Sequence, residues 1–128
     1  MRTQIATYEF EVHTTPLEKF NFTEAGDFVI EFDDAKERRL QLIFKGGGVA
    51  LRITLIDCFD LEKIKVNGKF PRHLLEIIDS LWIHELTTNF RKSNPYDNLM
   101  EQVNHFVLPL GDNVVEVAAW EYELRRIR

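Results

Sequence analysis

At 128 residues the chain has the length of one ordinary domain. Its residues are 45% apolar, enough to bury a core and to exclude intrinsic disorder. The formal charge of −5 argues against a phosphate-backbone partner, which needs a cationic face.

The pattern along the chain changes period, and the elements follow from that. Ile5 to His13 alternates, with Tyr8, Phe10 and Val12 on one face, and predicts a half-buried strand ended by Pro16. Leu17 to Glu24 fits a turn or loop tucked against the core through Leu17 and Phe20. Asp27 to Phe32 and Arg38 to Phe44 alternate again, joined by polar turn residues Asp33 to Glu37. Gly46-Gly47-Gly48 then leads into alternating Val49, Leu51, Ile53 and Leu55, which predicts a hairpin and so a three-strand meander. Between Asp57 and Lys69, a short strand through Leu61, Ile64 and Val66 would precede a turn at Asn67-Gly68.

Pro71 suits the first residue of a helix. At roughly 100° per residue, Leu74, Leu75, Ile77, Ile78, Leu81 and Trp82 fall on one arc. Arg72, Glu76, Asp79 and Ser80 fall on the other, which predicts one main helix over about 71–84. Glu85 would enter its apolar face and Thr87-Thr88 continue a helix poorly, so the helix is expected to stop there. Thr87 to Gln102 is polar, with one short helical turn possible around Tyr96, Leu99 and Met100. His105 to Leu110 and Val114 to Leu124 flank Gly111-Asp112-Asn113 and predict a second hairpin. With Gly111-Asp112 as its two-residue loop, His105 would lie opposite Ala118 and diagonal to Glu116 and Trp120. The expected architecture is a single α+β domain over residues 1–128. It has a mainly antiparallel sheet of 6–7 strands, a meander followed by the C-terminal hairpin, and the helix on one face.

Motifs that carry chemistry are few. The glycine triplet precedes a strand rather than a helix and lacks Gly-Lys-Ser/Thr, so it is no phosphate cradle. One cysteine, Cys58, leaves no disulfide and no CxxC pair. Its neighbours Asp57 and Asp60 would raise a thiol pKa rather than activate it. On the predicted helix His73 and His84 would stand about 16 Å apart along the axis, too far for one ion. No metal ligand set, cofactor or catalytic group is therefore expected. His105 near Glu116 could act as a general base, but such a pair is more often a structural edge pair. With Asp57 and Cys58, these two residues are the polar groups expected in a pocket between helix and sheet, if one forms.

Trp120 and Tyr122 share a face of the last predicted strand, near Glu116, Glu121 and Glu123. Tryptophan and tyrosine anchor many interfaces, so these five residues are the expected partner-binding surface. An acidic, compact, motif-poor domain suits capture of a basic protein partner, as bacterial toxin-neutralising immunity proteins do. The likeness is one of composition, and rests on no motif. The alternative is a small-molecule-binding protein or enzyme using the helix–sheet pocket. A homodimer through an exposed Val114–Leu124 edge is also expected to be accessible. The N-terminus shows no signal peptide and no stretch spans a membrane, so a cytoplasmic protein with neither membrane nor nucleic-acid partners is expected.

Overall fold

A computed structural model describes residues 1–128 as an α+β fold of nine antiparallel strands in two sheets with one helix. In chain order the strands are β1 (Arg2–Ile5), β2 (Lys19–Phe22), β3 (Phe28–Asp33), β4 (Arg39–Phe44), β5 (Ala50–Leu55) and β6 (Leu75–Ile78). Helix α1 (Leu81–Ser93) follows, then β7 (Asn104–Pro109), β8 (Asn113–Ala119) and β9 (Glu123–Arg126). One sheet has the order β1-β6-β7-β8-β5, the other β2-β3-β4-β9. No helix is long and apolar enough to cross a membrane.

The two sheets face each other across the main core. Strict alternation on β3 and β4 sends Phe28, Ile30, Phe32, Leu40, Leu42 and Phe44 inward. They meet Phe106 and Leu108 of β7 and Val115, Val117 and Ala119 of β8. Phe28, Phe32 and Phe44 are fully buried, and each contributes roughly 1.5–3 kcal/mol of transfer free energy. The five-stranded sheet is also covered on its outer face. There Leu75, Ile77, Val107 and Val114 pack with Ile64. Ala118 packs with Met100 and Val103 under α1, whose Trp82, Ile83, Leu86 and Phe90 lie against them. Burial on both faces explains why β7 and β8 read as nearly continuous apolar runs, while in β6 Leu75 and Ile77 on one face are buried and Glu76 and Ile78 on the other are half-buried.

That double burial moves the predicted helix. Residues 71–80 are not helical and only 81–84 of the expected span fall in α1; Leu74 enters the inter-sheet core, and Leu75–Ile78 is a strand between β1 and β7. A short apolar run satisfies a 3.6-residue arc and a two-sided strand equally well. The chain breaks at Asp79, which holds a left-handed φ of 56°. Ser80 then caps α1 through its hydroxyl, which accepts from the Ile83 N–H at 3.2 Å. In the true register Glu85 is exposed, and the helix passes through Thr87-Thr88. The Thr87 hydroxyl donates to the Ile83 carbonyl at 2.7 Å, so its polar group is satisfied inside the helix.

Three other expectations shift. The N-terminal strand is Arg2–Ile5, not Ile5–His13; Phe10 and Val12 still reach the core, but Tyr8 is exposed. Leu17 to Glu24 holds β2, so the meander is β2-β3-β4. The glycine triplet does not close a hairpin: β5 leaves for the other sheet and pairs with β8. Gly46, Gly47 and Gly48 all have positive φ, and at Gly48 a Cβ would lie 2.7 Å from the Ala118 carbonyl oxygen. The chain can cross between sheets there only without a side chain. The segment after β5 holds single 3-10 turns at Ile56–Cys58 and Leu61–Ile64 rather than a strand. Val114–Leu124 is two strands in two sheets. β8 lies between β7 and β5, so it offers no edge to a second copy.

Gly48→Ala is expected to destabilise the fold by about 3 kcal/mol, since it adds both strain and a backbone clash. Gly46→Ala, with the same sign of φ but open space around it, should lose only about 1 kcal/mol. Denaturant unfolding of both variants checks this; equal losses would contradict the close approach at Gly48.

Candidate functional site

Apart from Asp34, which Arg38 pairs in the turn between β3 and β4, the chain's buried ionisable groups lie on the outer face of the five-stranded sheet. β8 is apolar apart from Glu116 and its first residue, Asn113. Pleating sends Glu116 outward beside Val114 and Ala118, where it is almost wholly buried. A lone carboxylate there would be strongly disfavoured. Strand register supplies its partners. Arg52 of β5 is directly opposite Glu116, and its Nε and Nη2 donate to the two carboxylate oxygens at 2.8 and 3.0 Å. This fork-on-carboxylate pairing is the strong geometry for such a bond. From the other side His105 of β7, paired with Ala118 and thus diagonal to Glu116, places Nε2 at 2.6 Å from Oε2.

The chain of contacts continues. His105 Nδ1 lies 2.7 Å from the Ser80 hydroxyl, at the turn between β6 and α1. Burial alone would raise the Glu116 pKa. Hydrogen bonds from His105 and Arg52, with the Arg52 charge, outweigh it and hold the pKa down to about 2. The carboxylate is therefore an acceptor only. A neutral His105 must then carry its hydrogen on Nε2, leaving Nδ1 bare to accept the Ser80 O–H. With the ring neutral each group has one role: the Ile83 N–H donates to Ser80, Ser80 to His105, and His105 and Arg52 to Glu116. Trp82 encloses the row: its ring is edge-on to His105 at 4.9 Å, and the Arg52 guanidinium lies 4.2 Å from its centroid.

Above this row is a cavity of about 360 Å³ between α1, the outer sheet face and the turns after β5. Ser80, His105 and Glu116 are on its wall, with Arg52, Trp82, Phe59, Ile77 and Leu81. Such a volume lies in the range of small-ligand pockets. No group of three or more His, Cys, Asp or Glu side chains is arranged to hold a metal ion. His73 instead contacts the Phe10 carbonyl oxygen, and His84 pairs with Asp79.

The pocket residues expected from sequence converge in part. His105, Glu116 and Cys58 line the same cavity, Cys58 as an exposed thiol. Asp57 is exposed and off its wall; Asp60 stands there instead. The expected partner surface does not assemble. Glu116 is buried, and Tyr122 packs edge-on to Phe106 on the inter-sheet core. Trp120 is 40% exposed, with its indole N–H donating to the Leu99 carbonyl. Glu121 is exposed beside it, and Glu123 lies on β9, ion-paired with Arg125.

Three members of the site go unmarked by the predicted elements: Ser80 falls on the polar side of the predicted helix, Trp82 on its apolar arc, and Arg52 alternates with the apolar Leu51 and Ile53 of the predicted strand. A cap residue between the apolar run Leu74–Ile78 and the Trp82–Ile83 pair was the available signal for Ser80.

The fold and site together define an antiparallel two-sheet α+β protein with a polar-floored cleft under its helix. No protein-family model matches the chain, and no curated protein or solved structure shows significant similarity to it.

The depressed Glu116 pKa has a definite sign for stability. The contribution is present above the ordinary carboxylate value of 4.5 and is lost as pH falls through about 2. Glu116→Gln should destabilise the neutral protein by about 2 kcal/mol. The gap to wild type should narrow steadily as unfolding is followed from about pH 5 toward about pH 2. A gap that stays constant over that window would contradict the ion-paired carboxylate.

Proposed function

We propose that this protein binds a small organic molecule in the cleft between α1 and the outer face of the five-stranded sheet. The observation that supports it is the buried run Ser80–His105–Glu116, closed at the surface by the exposed Arg52, along the wall of a cavity of about 360 Å³. Proteins do not need three polar side chains in succession to cover one sheet face. Apolar residues of similar volume would serve stability as well or better. The elements around it divide the labour of binding. Trp82, Phe59 and Leu81 offer an apolar wall for a flat or hydrocarbon body. The remaining lone pair of the Ser80 oxygen and the Leu81 and Trp82 N–H groups, which no acceptor in the chain takes, offer a polar end point, which is the usual economy of a ligand site.

The ligand is small and carries few charges. Arg52 is committed to Glu116, and the cationic Lys63 on the wall stands with the anionic Asp60. A neutral ligand with one carbonyl or hydroxyl group adds no charge to a lining that already holds both signs.

Benzyl alcohol, benzamide and methyl benzoate are suitable probes. Each should shift the Trp82 indole and His105 ring resonances and slow alkylation of Cys58 at the cavity wall. Trp82→Ala should weaken binding at least tenfold, about 1.4 kcal/mol. Shifts confined to other surfaces, or Cys58 alkylation unaffected by every probe, would contradict this function.

A further inference from the structure

Resting on the cleft as a ligand site, we infer that Ser80 is a nucleophile and that the cleft hydrolyses small esters through an acyl-Ser80 intermediate. Three observations carry this. First, Ser80 and His105 are a nucleophile and base in direct contact, at 2.7 Å, with the far ring nitrogen braced 2.6 Å from Glu116. That is the constellation of nucleophile, base and orienting group. The imidazole is used with Ser80 on Nδ1 and the carboxylate on Nε2, and either ring nitrogen can accept a proton. Second, Ser80 is one of the residues that line the cavity. Third, Ser80 stands where β6 turns into α1, directly after the left-handed Asp79. The Leu81 and Trp82 N–H groups that follow it have no acceptor in the chain. They are donors for the oxyanion that forms when Ser80 is attacking.

The step balances without a cofactor. Ser80 Oγ bonds to the ester carbonyl carbon while its proton passes to His105 Nδ1. The tetrahedral intermediate collapses, the C–O bond to the alcohol breaks, and the alcohol leaves with that proton. Water then attacks the acyl-Ser80 carbonyl, giving a proton to His105 Nδ1. The acid departs and the proton returns to Ser80 Oγ. Glu116 and Arg52 touch neither substrate nor reacting atoms; they are positioning residues. Substrate class follows from access. Ser80 is only 4% exposed, so its oxygen is reached by a slim acyl group such as acetyl. The apolar wall of Trp82, Phe59 and Leu81 takes the alcohol portion.

The test uses 4-nitrophenyl acetate, with 4-nitroacetanilide as an amide analogue that reports binding without reacting. Wild type should release 4-nitrophenol at least about 10²-fold faster than its own Ser80→Asn variant. Mass spectrometry of the quenched reaction should place an acetyl group on Ser80. Asparagine keeps an N-cap oxygen, so that variant is expected to fold, and circular dichroism checks it. The adduct map needs no variant and stands even if Ser80→Asn unfolds. Acetyl only on Cys58 or on lysines, or an unchanged rate in folded Ser80→Asn, overturns the inference. If 4-nitroacetanilide shifts the cleft resonances but no acetyl-Ser80 forms, the cleft binds and does not catalyse. If neither probe is seen in the cleft, both the chemistry and the small-molecule site fall.

Discussion

One buried carboxylate organises this protein. Glu116 interrupts an apolar central strand, and a charge in that position is tolerated only when it is fully paired. Arg52 and His105 pair it from opposite sides. Because both partners are on neighbouring strands, the pairing also specifies register. A one-residue slip of β5 or β7 against β8 would send Arg52 or His105 to the inter-sheet core and strand the carboxylate. The polar row thus contributes to uniqueness of pairing, while stability comes mainly from the phenylalanine-rich core on the other face.

The same carboxylate determines the chemistry further along. With Glu116 ionised, the ring of a neutral His105 has a single compatible tautomer, and that tautomer turns Ser80 into a donor. Ser80 in turn begins α1 by accepting from Ile83. A helix start, a strand pairing and a side-chain orientation are therefore linked through one run of hydrogen bonds. Trp82 closes the run by lying against both His105 and Arg52. What separates this row from an ordinary buried network is the cavity beside it. A network serving only to hold α1 in place would be expected under close packing.

Parts of this were legible in the amino-acid order and parts were not. On β3 and β4 the most deeply buried residues alternate, so the pattern located both strands to within a residue. Gly111-Asp112 set the turn between β7 and β8, and from it the pairing of His105 with Ala118 and its diagonal to Glu116 could be counted out. The helix could not be placed because Leu74 faces one core and Leu75 and Ile77 the other, while Ile78 completes an apolar arc that suits a helix equally well in so short a run. Missing that strand hid Ser80, whose role as a cap depends on where the helix begins. Arg52 was hidden for a different reason. It alternates as a solvent-facing residue should, and only the transfer of β5 to the second sheet brings it against Glu116. The exchange of β5 and β9 between sheets depends on contacts far apart in sequence, Gly48 against Ala118 and Tyr122 against Phe106, which no local pattern encodes.

The most direct measurement is the tautomeric state of His105, read from long-range proton–nitrogen correlations in labelled protein at a pH where the ring is neutral. The hydrogen should be on Nε2, slow to exchange and shifted strongly downfield by Glu116, with Nδ1 reporting an acceptor. A hydrogen on Nδ1, or a ring averaging rapidly between the two forms, would contradict the hydrogen-bonded run from Glu116 to Ser80 on which both the cleft and its chemistry depend.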